Sequence, residues 1–405
     1  MSRTDPNRVL VAIHRYVGLV TLLFLLFAAV TGCILIFFDQ LDVAVNPDLY
    51  RAQDSGPTQT APALAAMVES AHPEIRIVSL PLTVSATQNL LIRVTGRDGR
   101  SLAFDEIFVD PRTGAVVGRR DDEAMVFDRH HLMPLVYLFH FELLAGGPGR
   151  WLMGMVALFW LLEMLVGFYL TLPQRSPFWE RWKVCWQLRG KGLPRLMLDL
   201  HRATGLWLFA GLIVLSLTSF GLNFYYEAVQ PAVLAVSPRN PSPLDRPPHS
   251  PTLAPPPVLG FTKAVELGKR EATRYHPDLK PAFATYDPGH GLYGVDFTST
   301  GTQVYRGSGP VAYYFNDQNG RLVFADDPSR DSAGQVLLRS IYPLHSGQVA
   351  GWISELVVFI LGLSMIEMGI TGVIVWWKKR PARVARRAAS ASSRRRHAPA
   401  SESQL

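Results

Sequence analysis

Residues 14–32 read HRYVGLVTLLFLLFAAVTG, and the same layout returns at residues 201–219 as HRATGLWLFAGLIVLSLTS. Each copy starts with a His-Arg pair, has a glycine four positions after the histidine, and has a threonine 17 positions after it. Each continues as an apolar run, and a helix needs about 20 apolar residues to cross a membrane. The pattern predicts an α-helical integral membrane protein whose two halves are parallel repeats.

Lysine and arginine mark the sides of the predicted membrane helices. The four apolar runs are Val17–Phe38, Trp151–Leu172, Gly205–Tyr226 and Trp352–Trp377. Basic residues concentrate before the first run, between the second and third, and after the fourth. Cytoplasmic loops carry such an excess, so both termini and segment 173–200 are predicted to be cytoplasmic. The net charge of +7 is therefore assigned to membrane topology and lipid, and we expect no nucleic-acid partner.

The two remaining long segments are predicted to be periplasmic, which makes this a multi-pass protein of the bacterial inner membrane. Each reads as one helix followed by short strand-like runs and turns. These elements are Ala61–Ala71, Arg76–Leu80, Asn89–Thr95, Glu106–Val109 and 115–117 in the first segment, and Phe261–Arg274, Ala282–Tyr286, Leu292–Thr298, Val311–Phe315 and 321–324 in the second. The sequence thus predicts two small α+β domains. GHGLYG at 289–294 matches a dinucleotide motif, but it precedes a strand and is interpreted as a hairpin turn.

The predicted organisation has eight parts. They are the N-terminus and first helix at 1–38, a first periplasmic domain at 39–139, a hairpin and second helix at 140–172, a cytoplasmic loop at 173–200, a third helix at 201–226, a proline-rich linker and second domain at 227–344, a fourth helix at 345–377, and a basic disordered tail at 378–405. Val30 to Cys33 also resembles a lipoprotein cleavage box. The apolar run continues through residues 34–38, which favours a retained helix.

Two further histidines share the repeat. His140 precedes Gly167 by 27 residues and Arg175 by 35, and His345 has the same spacings to Gly372 and Arg380. Topology then groups the four histidines by membrane face. His14 and His201 fall at the cytoplasmic ends of the first and third helices, and His140 and His345 at the periplasmic ends of the second and fourth.

Two histidines at each face predict two bis-imidazole haem sites, one above the other. Two imidazoles fill both axial positions of iron, which favours electron transfer over oxygen binding. No C-x-x-C-H motif occurs, so the expected cofactors are two non-covalent b-type haems. The glycines after His14 and His201 leave room for a porphyrin face, and Arg15 and Arg202 are candidates for pairing with propionates.

Several alternatives stay open. A single histidine at a helix end is usually an interfacial residue, and a transition-metal site is a rival explanation for the pairs. His131 is a reserve ligand in place of His140, which stands in an interfacial hairpin 11 residues before Trp151. Glu163 and Glu367 fall inside apolar helices, where they serve either a proton or quinol site or the packing of a neighbouring polar group.

These motifs resemble those of the PepSY-associated transmembrane proteins. The resemblance rests on LDLHRATGL at 198–206, PLHSG at 343–347 with Gly372 and WWKKR at 376–380, Phe139-His140 through Trp151, and VDPRTG at 109–114. It implies PepSY-like periplasmic domains and haem ligation by His14, His201, His140 and His345. Two departures are Ser219, where Gly32 stands in the first half, and Gln348, where a basic residue often follows the glycine.

The family includes inner-membrane ferric-siderophore reductases that act in iron uptake. The resemblance therefore implies an oxidoreductase that passes electrons from a quinol or a cytoplasmic reductase, through the two haem sites, to ferric siderophore in the periplasm. One rival is a haem-free transporter or assembly factor that binds siderophore or peptide. Another is a cytochrome b subunit that serves a different periplasmic oxidoreductase.

Overall fold

A computed structural model describes residues 6–52, 56–239, 241–248, 256–302 and 306–381. The predicted tail from residue 382 onward lies outside the described residues, as do residues 249–255 of the proline-rich linker. Contacts divide the described chain into two compact units. The helical unit contains the residues up to Val30, Met155–Leu217 and those from Phe359 onward, and the sheet unit contains Thr31–Gly154 and Thr218–Val358.

The elements follow in chain order. The α-helices are α1 (Pro6–Leu35), α2 (Phe38–Val45), α3 (Pro47–Tyr50), α4 (Ala61–Ala71), α5 (Leu132–Glu142), α6 (Gly146–Thr171), α7 (Phe178–Trp182), α8 (Leu193–Trp207), α9 (Phe209–Asn223), α10 (Gln230–Val236), α11 (Phe261–Tyr275), α12 (Ala333–Ser346) and α13 (Trp352–Lys378). The strands are β1 (Ile75–Pro81), β2 (Leu90–Gly96), β3 (Glu106–Val109), β4 (Val116–Arg120), β5 (Lys280–Asp287), β6 (Leu292–Thr298), β7 (Val311–Asn316) and β8 (Leu322–Asp326).

Among the described residues, three helices, α1, α6 and α13, are each long and apolar enough to cross a membrane. The pair α8 and α9 meets the same test only when taken together, and it is bent by 72°. We predicted one continuous run at Gly205–Tyr226, whereas the structure begins this helix at Leu193 and breaks it at Leu208, whose φ of −106° and ψ of 10° leave the helical region. The break falls within apolar residues without a proline, so the sequence carries no signal for it.

Glycines bring the apolar helices of the helical unit into close contact. A Cβ atom on Gly369 of α13 would lie 2.6 Å from Leu22 of α1, and one on Gly211 of α9 would lie 2.8 Å from Leu361 of α13. Small residues at helix contacts are a common means of close packing in membranes, where apolar burial alone does not drive helices together.

The eight strands found in the described part of the sheet unit form one antiparallel sheet in the order β4-β3-β2-β1-β5-β6-β7-β8. The sequence placed four strands in each of two separate domains. The structure instead joins the two sets, because β1 pairs with β5 from Ser79 and Thr285 to Pro81 and Phe283. An unpaired edge strand exposes backbone N–H and C=O groups. Pairing of β1 with β5 provides hydrogen-bond partners for these groups at one edge of each four-stranded set.

The sheet is held by an apolar core under two helices. α4 and α11 pack on the same face and contact each other. Their buried residues meet inward-facing side chains of the strands, including Leu64, Val68, Ala264, Ile77, Ile92, Ile107, Val295 and Phe297. On β6, Val295 lies so close to α11 that a Cβ atom on Gly268 would be 2.9 Å from it. The period-two pattern that predicted the strands therefore reflects one shared core.

A buried ionic cluster ties α2 to the first half of the sheet. The Arg120 guanidinium on β4 donates to Glu106 on β3 at 2.7 Å and to Asp42 on α2 at 2.9 Å. The three side chains are 2%, 3% and 0% exposed, respectively. Tyr50 also donates to Asp42, at 2.6 Å. Charges this deeply buried require mutual pairing, since each alone would be strongly disfavoured.

Candidate functional site

The helical unit brings His14 of α1 and His201 of α8 together as the first histidine pair. Their ring centres are 6.3 Å apart and the ring planes make an angle of 62°. The two residues are 187 positions apart in sequence, so only the packing of the helices unites them. The pairing predicted from the repeat is the one that the structure forms.

A carboxylate of α6 faces His14. Oε2 of Glu163 lies 2.6 Å from Nδ1 of His14, and the Glu163 side chain is 9% exposed. The two atoms meet as a close contact of ion-pair type, and within the described residues neither of them is in a hydrogen bond of regular geometry. One turn further along α6, a Cβ atom on Gly167 would lie 3.2 Å from Cε1 of His14. Glu163 and Gly167 stand four residues apart, on one helix face, and together hold the ring.

His201 is held by α13 in a related way. Its Nδ1 lies 2.9 Å from the backbone oxygen of Met368 and 3.3 Å from Oγ1 of Thr371. A carbonyl oxygen only accepts, so the ring proton resides on Nδ1 and the lone pair on Nε2. A Cβ atom on Gly372 would lie 3.3 Å from Cε1 of His201, which matches the contact between Gly167 and His14.

The sheet unit forms the second histidine pair from His140 of α5 and His345 of α12. The ring centres are 6.1 Å apart, with an angle of 53° between the planes. Both residues lie near the C-terminal ends of short helices that precede α6 and α13. Leu143, with a φ of 56°, ends α5, and Gly347, with a φ of 81°, ends α12. His140 thus stands outside the long helix that follows it, as the sequence predicted.

Threonines hold the rings of the second pair. Thr31 Oγ1 lies 3.0 Å from Nδ1 of His140, and Thr218 Oγ1 lies 3.2 Å from Nδ1 of His345. A Cβ atom on Gly32 would lie 3.1 Å from Cε1 of His140. These threonines are the ones that follow the first-pair histidines by 17 residues.

Both pairs fit a metal-centred cofactor by donor type and spacing. Two imidazoles on one iron would have ring centres about 6 Å apart, because each metal–nitrogen bond is about 2 Å long and each ring centre lies roughly 1 Å behind its nitrogen. Each of the four Nδ1 atoms lies against an oxygen atom of a neighbouring helix, so Nε2 is the nitrogen that would be available to a metal. Burial, with His140 beside it, lowers the pKa of His345 to about 3, and a neutral imidazole is the form that ligates metals.

The other predicted residues take local roles. Arg202 donates to Asp199 at 2.6 Å, and the guanidinium of Arg15 lies over the Tyr16 ring at 5.9 Å. His131 Nδ1 lies 2.7 Å from Asp128. The structure brings His140, and not His131, to His345. Pairing of the two arginines with haem propionates stays a prediction.

Three contacts were absent from the sequence interpretation. Glu163 was left with two alternative roles, and Met368 and Thr371 were not singled out. The signal for Glu163 was present, because it stands one helical turn before Gly167, which the repeat had already connected with the histidines. Met368 stands at the same distance before Gly372, and it contributes a main-chain atom, which no sequence pattern reveals.

The sequence model of the protein family described as the PepSY-associated TM region matches residues 11–379 of the chain. The chain belongs to this family. The match includes all four histidines, both long segments between the apolar runs, and α13. No curated relative matches the chain. Membership of the PepSY-associated TM region family, with three apolar helices and a bent pair of membrane length, identifies a membrane protein.

Proposed function

We propose that this chain is a transmembrane electron-transfer protein that holds two b-type haems and reduces ferric siderophore iron in the periplasm. The observation that carries the proposal is the pair of histidine contacts, with ring centres at 6.3 and 6.1 Å. Bound between two such imidazoles, a haem would supply one-electron transfer without an open position for oxygen. His14 and His201 would hold one haem, and His140 and His345 the other.

The chain's own residues orient those ligands. Oxygen atoms lie against Nδ1 of all four rings, and glycines face Cε1 of three of them, His14, His201 and His140, which leaves Nε2 as the nitrogen that would bind iron. Such outer partners keep the tautomer and raise ligand basicity. The repeat supports two haem sites built in the same way, because the spacing from His140 to Gly167 equals the spacing from His345 to Gly372.

Charge distribution supports the orientation of the proposed path. The basic segment between α6 and α8 and the basic residues after α13 indicate a cytoplasmic side. The first pair, on α1 and α8, would then receive electrons from a cytoplasmic or quinol donor. The second pair and the sheet would face the periplasm of a bacterial inner membrane, where ferric siderophore is the substrate.

A cationic cleft of about 390 Å³ supports an anionic acceptor at the sheet. Arg246, Arg321 and His290 line it. The Arg246 carbonyl and Asp287 both accept from the His290 ring and raise its pKa, which favours a positive charge there. Ferric chelates whose carboxylate groups outnumber the charge on iron are anionic, and such a cleft attracts them. Reduction to Fe(II) weakens the hold of those hard oxygen ligands, so release follows.

The test is an optical spectrum of the purified full-length protein, oxidised and then reduced with dithionite, with a pyridine haemochrome assay for stoichiometry. We expect sharp low-spin bands and about two b-type haems per chain. His201→Ala should reduce the content to about one. A protein that stays colourless after haem-supplemented expression would contradict the proposal and favour a siderophore- or peptide-binding role. Two haems without reduction of any ferric siderophore would favour a cytochrome subunit for another periplasmic enzyme.

A further inference from the structure

The two histidine pairs differ in what binds their Nδ1 atoms. In the first pair, the partners are the Glu163 carboxylate at 2.6 Å and the Met368 carbonyl at 2.9 Å. In the second pair, both partners are threonine hydroxyls, at 3.0 and 3.2 Å. The difference lies in the chain itself, because the position in the second half that corresponds to Glu163 holds Met368, each standing four residues before the glycine that contacts a histidine.

We propose that these partners set the order of the two redox potentials, with the haem at His14 and His201 lower than the haem at His140 and His345. The inference rests on the proposed function and deepens it. It makes Glu163 a positioning and tuning residue that acts on iron through His14.

The physical reason is electron donation through the imidazole ring. A carboxylate beside Nδ1 places a negative charge next to the ring N–H, and interactions of N–H with a charged oxygen are about twice as strong as those with a neutral one. A strong acceptor on Nδ1 pulls the proton away and leaves more electron density on Nε2, which raises ligand basicity. An electron-rich ligand stabilises ferric over ferrous iron, and second-shell hydrogen bonding is a recognised control of haem potential.

A hydroxyl has the weaker effect. Thr31 and Thr218 present neutral oxygens that act as donor and acceptor alike. Their histidines keep more of the Nδ1 proton, so ferrous iron is less disfavoured at the second pair. Electrons would therefore run downhill from the first pair to the second, which is the direction that the proposed topology requires.

The burial of Glu163 strengthens its influence. Its side chain is 9% exposed, and a charge interaction in such surroundings is screened far less than one in water. Glu367 of α13 does not take this role, because the described residues show no ion pair between its carboxylate and a histidine, and both of its buried carboxylate oxygens lack a hydrogen-bond partner there.

The experiment is a potentiometric optical titration of the full-length holoprotein at fixed pH. Wild type should show two one-electron steps. His201→Ala should retain only the higher step, and His345→Ala only the lower one. This ordering is measured without altering Glu163, so it remains testable even where substitution of Glu163 lowers haem content.

Glu163→Gln then tests the cause, since glutamine keeps an acceptor oxygen and loses the charge. We expect the lower step to rise, with about a tenfold higher ratio of reduced to oxidised haem at a fixed potential, equivalent to 59 mV for one electron. The higher step should stay in place. Thr31→Val should move only the higher step, and Glu227→Gln, whose carboxylate binds Arg150 instead of a histidine, should move neither.

Three results would overturn the inference: a lower step that survives in His201→Ala, two steps at equal potential in wild type, or an unchanged lower step in a diheme Glu163→Gln protein. Each of these leaves the proposed function intact, because two haems are present. Absence of haem from the wild-type chain would overturn both.

Discussion

Gly32 of α1 faces the ring of His140, and a Cβ atom at this glycine would lie 3.1 Å from Cε1 of the histidine. Contacts this short force one of the two residues to move. His140 is also hydrogen-bonded to Thr31, which precedes Gly32 on α1. Gly167 and Gly372 stand in the same relation to His14 and His201, at 3.2 and 3.3 Å. A side chain at any of these three glycines would therefore push the facing histidine ring by a few tenths of an ångström.

The first prediction concerns the space at this contact. Gly32→Ala should displace His140 and lower the haem content from about two per chain to about one, as measured by pyridine haemochrome. Gly147→Ala is the matched control, because a Cβ atom there would have nothing within 4 Å, and it should retain full content. An alanine variant at Gly32 that keeps both haems with unaltered spectra would contradict the packing argument.

The second prediction concerns the buried cluster of Arg120, Asp42 and Glu106. Arg120→Ala would leave two carboxylates buried without their cation, and removal of one partner from such a pair destabilises a protein by about 3–5 kcal/mol. The apparent unfolding midpoint of the full-length chain in detergent should fall accordingly. Arg119→Ala, at the exposed neighbouring position, should change stability by less than about 0.5 kcal/mol. Equal effects of the two substitutions would contradict a structural role for the cluster.

The third prediction concerns pH. Burial, together with the nearby carboxylate of Asp326, raises the pKa of Asp296 on β6 to about 7. The folded chain keeps this proton up to about pH 7, whereas the unfolded chain releases it near pH 4. Stability from this group is therefore fully present below about pH 4, falls as the pH rises toward 7, and is lost above 7.

Asp296→Asn removes that dependence. The variant should gain stability at pH 8, with an upper limit of roughly 4 kcal/mol at about 1.4 kcal/mol per pKa unit, and should gain little at pH 4. Unfolding midpoints of the full-length chain at both pH values provide the measurement. Asp278→Asn, at an exposed position before β5, is the control. A gain of equal size at both pH values would show that the carboxylate is not responsible.

The sheet illustrates what the sequence predicts well. The runs Glu106–Val109 and Leu292–Thr298 were predicted with the bounds that β3 and β6 have, because a short apolar and aromatic run is local information. The turn after β3 was confirmed in the same way. Asp110 accepts from the backbone N–H groups of Arg112 and Thr113, and Gly114 has a φ of 72°.

The pairing between distant strands could not be predicted from the sequence. β1 and β5 are about 200 residues apart in sequence. Neither strand has a sequence feature that identifies the strand with which it pairs. The histidine pairs were predicted despite similar separations, because the repeat provided a second observation. The carboxylate of Glu163 became part of the first pair only through the rotation of α6 about its axis, which depends on the packing of the whole helical unit.

The fourth prediction concerns the cationic cleft. Arg321→Glu should slow reduction of an anionic ferric chelate about tenfold through weaker electrostatic attraction, with KM rising more than kcat falls. Haem content and potentials should be unchanged, since Arg321 lines the cleft directly before β8 and contacts none of the four histidines. Arg270→Glu on α11, an exposed position outside the cleft lining, makes the same charge change and should have little effect. Loss of rate in both variants would indicate a general charge effect.

The fifth prediction concerns topology. Cysteines placed singly in a chain that lacks Cys33 and Cys185 would report which side of the membrane each segment faces. Arg330→Cys, on the sheet unit with a side chain that is 75% exposed, should react with a membrane-impermeant maleimide in intact spheroplasts. Lys191→Cys, in the basic segment between α6 and α8, should react only after permeabilisation, because positive loops are retained in the cytoplasm.

The two positions control for one another, because both are exposed and both replace a cation. Their opposite response also tests the path of the electron. If Lys191→Cys were the one labelled in intact spheroplasts, the sheet would face the cytoplasm, and the second histidine pair would stand at the donor side. The higher-potential site would then precede the lower one, and electrons would have to run uphill to reach the first pair. Labelling that places the sheet in the periplasm, together with a higher potential at the second histidine pair, would therefore support periplasmic iron reduction more strongly than either measurement alone.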